Sequence, residues 1–137
     1  MIDIAKTSID VEVYVFKNDA VGKAILERLA ARAAEGIAVR MLVDGFGSFK
    51  LSWWSLRRLR KAGGRVVFFM PIWRLSLINR GNLRNHRKIV VTDGKFVFSG
   101  GRNLANEYLG PTADPTRWAD FSFVLGGPAV QHYREVF

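Results

Sequence analysis

The first seventy residues alternate between two periodicities, and that alternation limits the fold more than any other feature of the chain. Residues 9–16 repeat at every second position, with Val11, Val13 and Val15 on one face, which is the pattern of a strand. Residues 20–35 switch to helical spacing through Val21, Ala24, Ile25, Leu29 and Ala33, and Gly36 stands where a helix C-cap belongs. A second, largely apolar strand follows at 38–43, a second helix at 52–62 ended by Gly63 and Gly64, and a third strand at 65–70. Strand, helix, strand, helix, strand in succession implies right-handed crossovers, hence parallel strands covered by helices. The pattern then changes. Residues 88–92 and 95–99 are β-rich runs around Asp93-Gly94, a strong two-residue hairpin signal. A further strand at 120–125 leads through Gly126, Gly127 and Pro128 into a last helical pattern at 129–137. The expected fold is α/β: a mixed, mostly parallel β-sheet flanked by helices on both faces, in a single unit over residues 1–137.

Composition narrows the classes of function. About half of the 137 residues are hydrophobic and 12% are aromatic, enough to build a core and to exclude a disordered chain. There is no cysteine, so disulfides and thiolate metal sites are excluded. Lysine and arginine number 21 against 12 acids, for a net charge of +9. That surplus favours an anionic partner, whether phosphate, nucleic acid or an acidic membrane face. No apolar run reaches the roughly 18 to 20 residues that span a bilayer, and no secretory leader is visible. Residues 2–6 resemble the tail of a helix and 129–137 a helix without a C-cap, so both ends read as cut from a longer protein.

The hairpin gathers the chemistry. With Asp93-Gly94 as the turn, Thr92 is expected opposite Lys95, Val90 opposite Val97, Lys88 opposite Ser99 and His86 opposite Gly101. Residues two apart in a strand share a face, so His86 and Lys88 point the same way, roughly 7 Å apart at about 3.3 Å per residue. Ser99 and Gly101 lie beside them, and Asn103 comes two residues later. This surface offers a titratable imidazole, a fixed cation, an amide donor and the exposed backbone N–H groups of Gly100 and Gly101. Those are the parts needed to hold a phosphoryl group and attack it.

His86, Lys88 and Asp93 stand as H-x-K-x-x-x-x-D, followed by Gly100, Gly101 and Asn103 as G-G-x-N. This resembles the HKD signature of the phospholipase D superfamily. Around it, Arg84-Asn85-His86-Arg87-Lys88, Gly100-Gly101-Arg102-Asn103-Leu104 and Glu107-Tyr108-Leu109-Gly110 look most like the bacterial cardiolipin synthase branch. So do Val13-Tyr14-Val15-Phe16, Val43-Asp44-Gly45-Phe46-Gly47-Ser48 and Trp118-Ala119-Asp120. The resemblance implies a phospholipase D-like lobe acting in two steps without metal or cofactor. One motif histidine attacks the phosphodiester and forms a phosphohistidine. The histidine of a second motif protonates the leaving alcohol, then activates the acceptor. His86 fills one of those roles, with Lys88, Ser99, Gly101 and Asn103 around the phosphate. The acid that orients the histidine is expected at Asp120, ahead of Glu107 and Asp114. Asp93 completes the motif, although its place in the turn suits a structural role.

The chain holds one such motif. His132 is the other histidine, no lysine stands two residues after it, and it reads as an ordinary helix-surface residue. A second HKD lobe is therefore expected, from further chain or from a homodimer, and the isolated lobe is expected to be inactive without it. The implied substrate is an anionic phospholipid of the phosphatidylglycerol type, at a membrane surface on the cytoplasmic side. Two alternatives remain: a dimeric nuclease of the same superfamily, with nucleic acid as partner, and a non-catalytic lobe that binds anions or membrane. Trp53, Trp54 and Trp73 interleave with Arg57, Arg58, Arg60, Lys61 and Arg74. The plainer expectation is a helix packing its tryptophan on the sheet with its arginines in solvent. The other is a membrane interface. Residues 71–85 read as an irregular loop shaping the substrate entrance.

Overall fold

A computed structural model describes residues 1–71 and 84–137. A short 3-10 turn, Ile2–Ile4, precedes β1 (Ser8–Val13), α1 (Ala20–Ala34), β2 (Ala38–Asp44), α2 (Trp53–Lys61) and β3 (Arg65–Phe69). Then come β4 (Lys88–Thr92), β5 (Phe96–Gly100), β6 (Ser122–Gly126) and α3 (Val130–Glu135). Six strands form one mixed sheet in the order β3-β2-β1-β4-β5-β6. Among the six strands β1·β2 and β2·β3 pair in parallel, while β1·β4, β4·β5 and β5·β6 are antiparallel. The expected parallel character thus belongs to the βαβαβ half alone.

Each helix forms where its sequence signals it. The Asp19 side chain accepts the Gly22 N–H at the start of α1, and the Ser52 hydroxyl accepts the Ser55 N–H at the start of α2. α1 lays Leu26, Leu29, Ala30 and Ala33 on the sheet and α2 lays Leu56 and Leu59 beside them. They meet Ile9, Val11, Val13, Val39, Met41 and Val43 in the main core. A fully buried Ile, Leu or Val contributes roughly 1.5–3 kcal/mol, so these side chains dominate the stability of this half. A second core on the opposite face joins Ile89, Val91 and Val97 to Val130 of α3. Helices therefore cover both faces.

The hairpin departs from its expected register. Asp93 and Gly94 both take positive φ, 55° and 62°, as a tight two-residue turn requires, and the Lys95 N–H donates to Thr92 O at 3.0 Å. Lys95 is then left out of the ladder, and Thr92 pairs with Phe96, Val91 with Val97, Val90 with Phe98 and Ile89 with Ser99. A one-residue slip turns every side chain to the other face. Ser99 therefore shares the face of Ile89 and Val91, not that of Lys88. Both faces of this hairpin carry apolar side chains, Ile89, Val91 and Val97 on one and Val90, Phe96 and Phe98 on the other, so the hydrophobic pattern alone could not choose between the registers.

Candidate active site

Topology decides where the functional groups meet. Because β4 runs antiparallel to β1, its first residue, Lys88, pairs with the last residue of β1, Val13. β5 ends at the same edge and β6 begins there, with Gly100 opposite Ser122. One end of the sheet thus collects the ends of β1, β2, β3 and β5 and the beginnings of β4 and β6. Ligand sites of open α/β sheets favour such a crevice beyond the strand ends.

His86, Arg87, Lys88, Ile89, Ser99 and Gly100 line an open cleft of about 340 Å³ at this end, with His132, Tyr133 and Val136 from the side of α3. His132 is therefore a wall of the cleft as well as a helix-surface residue paired with Glu135 at 3.6 Å. Ser99 reaches the same cleft from the other face of the sheet. The exposed ring of His86 stacks on Tyr14, centroids 3.8 Å apart and planes at 24°. The Lys88 Nζ donates to His86 O at 2.7 Å and lies 5.7 Å from the Tyr14 centroid. Burial pushes the Lys88 ammonium below the usual lysine range, and the carboxylate of Asp120 opposes that shift without cancelling it.

Asp120 stands just before β6. Its Oδ1 accepts the N–H of Phe121 at 2.6 Å. A Cβ built on Gly101 would lie 2.0 Å from that same oxygen, so Gly101 leaves the space the carboxylate occupies. The Gly101 N–H is not free for an anion, because it donates to Phe121 O at 2.9 Å. Asp120 thus acts on the charge of the motif lysine, and among the described residues the His86 ring stacks on Tyr14. Asn103 is 4% exposed and its Oδ1 accepts the Val15 N–H at 3.1 Å, which ties the G-G-x-N segment to the end of β1.

Asp93 lies at the far end of the hairpin. Its carboxylate accepts N–H groups of Lys6, Thr7 and Ser8 and the hydroxyl of Thr7, at 2.7 to 3.1 Å. Its place is structural, because β4 carries it away from the cleft by its whole length. Of the two lesser acid candidates, Glu107 pairs with Lys17 at 2.5 Å. Asp114 accepts from Thr116 and lies 3.9 Å from Arg117. Neither meets His86.

Four residues at this end escaped the sequence reading of the site: Glu12, Tyr14, Asp44 and Arg84. Glu12 and Asp44 are each 1% exposed. Glu12 Oε1 accepts from the Asn85 side chain and lies 3.6 Å from Arg87. Asp44 Oδ1 accepts the N–H groups of Phe46 and Gly47, both at 2.9 Å, and lies 3.6 Å from Arg84. Arg84 also donates to Met70 O at 3.0 Å. The signal was available: Asp10 and Glu12 interrupt a central strand at the positions alternate to Ile9, Val11 and Val13, and buried carboxylates require partners. Among the described residues no group of three or more His, Cys, Asp or Glu side chains is placed to hold a metal ion.

The fold is similar to that of phospholipase D-like proteins. The structure matches the phospholipase D family member Nuc from Salmonella typhimurium with a TM-score of 0.68 at 20% identity, covering 98% of this chain and 78% of that one. NucT from Helicobacter pylori matches with a TM-score of 0.68 at 17% identity, covering 98% and 79%. At these identities the likeness is one of fold alone. The sequence itself is 37% identical over 136 residues to cardiolipin synthase 1 of Bacillus cereus, covering 99% of this chain and 27% of that protein. It is 42% identical over 135 residues to the cardiolipin synthase of Halalkalibacterium halodurans, covering 98% and 27%. The family described as "Cardiolipin synthase, PLD-like domain" matches residues 1–137, and the chain belongs to it. The chain spans about a quarter, 27%, of the length of these relatives.

Proposed function

We propose that this lobe carries one half of the active site of a phosphatidyltransferase, or of a phosphodiesterase acting on the same bond, with an anionic phospholipid of the phosphatidylglycerol type as substrate. The observation that carries this reading is the cleft at the sheet end, where the exposed His86 imidazole and the Lys88 ammonium stand together with Asp120 nearby. The partly desolvated ammonium favours an incoming anion, since a phosphate oxygen replaces the water it has lost. Stacking on Tyr14 limits the motion of the imidazole at the cleft.

The chemistry divides between two motifs. A nitrogen of one histidine attacks phosphorus, the bond to the leaving alcohol breaks, and the departing oxygen takes a proton from the histidine of a second HKD lobe. In the second step the acceptor hydroxyl gives its proton to that second histidine and its oxygen attacks phosphorus, breaking the phosphorus–nitrogen bond. His86 serves as nucleophile or as acid/base, and Lys88 compensates the phosphate charge. Ser99 offers a hydroxyl at the rim, and Asn103 holds the loop that follows. A second lobe, in the same polypeptide or in a homodimer, supplies the other histidine. Family and substrate support a membrane-associated protein on the cytoplasmic side. Among the described residues no helix is long and apolar enough to cross a membrane.

The test supplies the intact protein with labelled phosphatidylglycerol and, separately, with DNA. Conversion of the lipid, lost in His86→Ala, is the expected result. Full turnover in His86→Ala refutes the site, and cleavage of DNA without conversion of lipid replaces the proposal by a nuclease.

A further inference from the structure

Phe46, Phe49, Trp53 and Trp54 are 54%, 62%, 67% and 75% exposed, all where β2 runs into α2. The fold does not use them. α2 is held by Leu56 and Leu59, which are 0% and 1% exposed. At about 100° per residue, Trp53, Arg57, Lys61 and Trp54 occupy one continuous arc of the helix, turned away from that buried pair. The expected packing of tryptophan on the sheet therefore does not occur, and both rings face outward. Trp73 and Arg74 lie outside the described residues.

The charge of the surface is one-sided. Residues 45–61 contain Lys50, Arg57, Arg58, Arg60 and Lys61 and no aspartate or glutamate. Cations lie on the rings themselves. Lys50 is 5.6 Å from the Phe49 centroid, Arg57 5.6 Å from that of Trp54, and Arg60 3.6 Å from that of Trp53. Amphipathic rings interleaved with cations that pair with no acid among the described residues suit the headgroup layer of a bilayer, where rings settle at glycerol depth and cations meet phosphates. Single-stranded nucleic acid stacks its bases on open ring faces, and the cations already occupy faces here. A protein partner that covered the patch would have to bring acids for several cations it desolvates.

Position adds the second observation. α2 begins where β2 ends, so Trp53 and Trp54, in its first turn, lie at the same end of the sheet as Lys88 and Gly100. Arg84, two residues before His86, lies 5.3 Å from the Phe46 centroid, so the patch adjoins the segment that carries the imidazole.

We propose that Phe46, Phe49, Trp53 and Trp54, with Lys50 and Arg57, form a docking surface for an anionic lipid bilayer, and that docking turns the sheet end bearing His86 toward the headgroups. The occupant rests on the phospholipid substrate proposed above, but the two are measured separately.

The experiment follows flotation of the chain with phosphatidylcholine vesicles that contain phosphatidylglycerol and with phosphatidylcholine alone. Brominated phosphatidylglycerol serves as a quencher of tryptophan fluorescence. The chain is expected to partition onto the anionic vesicles, less so as salt rises, and its fluorescence to be quenched. The double variant Trp53→Ala, Trp54→Ala is expected to lose about tenfold or more of that partition together with most of the quenching. Lys50→Gln with Arg57→Gln is expected to lose the preference for the anionic vesicles. Circular dichroism confirms that the variants fold, and quenching in the unsubstituted chain does not depend on them. Absence of partition in the unsubstituted chain, or unchanged partition and quenching in the double tryptophan variant, overturns the proposal. So does a double variant that changes self-association or DNA affinity while its vesicle partition stays the same. Vesicle binding by the chain, with no conversion of lipid by the intact protein in its separate assay, refutes the transfer reading and leaves the docking surface standing.

Discussion

Replacing Asp93 separates a structural carboxylate from a catalytic one inside the same motif. Desolvation at the turn pushes its carboxyl up, but the N–H groups of Thr7, Lys6 and Ser8 and the Thr7 hydroxyl outweigh that and bring it from 3.8 down to about 2. At about 1.36 kcal/mol per pKa unit the difference is worth roughly 2.4 kcal/mol, and solvent at this turn reduces it to about 1 kcal/mol. A carboxyl depressed in the folded state stabilises the fold above its unfolded value. The contribution disappears as pH falls through the folded one, here between about pH 4 and pH 2. Asp93→Asn removes the charge at every pH. Urea melts at pH 7 are expected to place the variant about 1 kcal/mol or more below the unsubstituted chain, with the gap closing toward pH 2. In the lipid assay on the intact protein the variant is expected to keep its turnover within about threefold, because the turn lies a full strand from the cleft. A stability gap that stays constant from pH 7 to pH 2 would refute the hydrogen-bond account, and loss of turnover in a folded variant would return Asp93 to the active site.

Two further substitutions probe the loop after β5. Asn103→Ala removes the acceptor of the half-buried Val15 N–H and is expected to cost about 0.5–1.5 kcal/mol in thermal or urea unfolding. Gly101→Ala drives a methyl into the Asp120 carboxylate, so turnover in the intact protein is expected to fall at least tenfold. The same variant should shift the titration of Lys88, followed by NMR, downward as its counter-charge moves away. An unmoved Lys88 titration would mean that Asp120 does not act through it.

What was legible in the sequence follows from which signals are local. The βαβαβ half was readable because its strands and helices differ in period and each helix has an end signal: Gly36 after α1, Gly63 and Gly64 after α2. The motif was readable because its residues crowd into one hairpin. Register was not, since Lys95 drops out of the ladder without any compositional mark. The fate of Gly101 was not legible either. Only β6, 21 residues later in sequence, brings Phe121 O to its N–H and Asp120 to its missing side chain. The same is true of Asn103, whose partner Val15 lies 88 residues away. The exposure of Trp53 and Trp54 depended on the leucines winning the core face, which helical spacing suggested and the size of tryptophan obscured.

The buried acids explain why an exposed imidazole at the end of a sheet is held in one place. Residues 84–87 pass the ends of β1 and β2 before β4 begins, and the groups on either side of His86 are anchored. Arg84 goes to Asp44 and Met70 O, Asn85 and Arg87 go to Glu12, and Lys88 enters the ladder opposite Val13. His86 lines the cleft between them, with its ring stacked on Tyr14. Glu12 Oε2 and Asp44 Oδ2 are buried with no hydrogen-bond partner among the described residues, so each acid leans on the basic residue beside it. Losing that residue would leave a buried charge uncompensated, which is far costlier than losing a surface ion pair. The basic side chains that flank His86 are therefore bound to the sheet by the acids beneath them. Under the proposed function, the imidazole would give up little additional freedom when a phosphodiester enters, and that is the condition under which an exposed side chain can act as a well-placed nucleophile or acid.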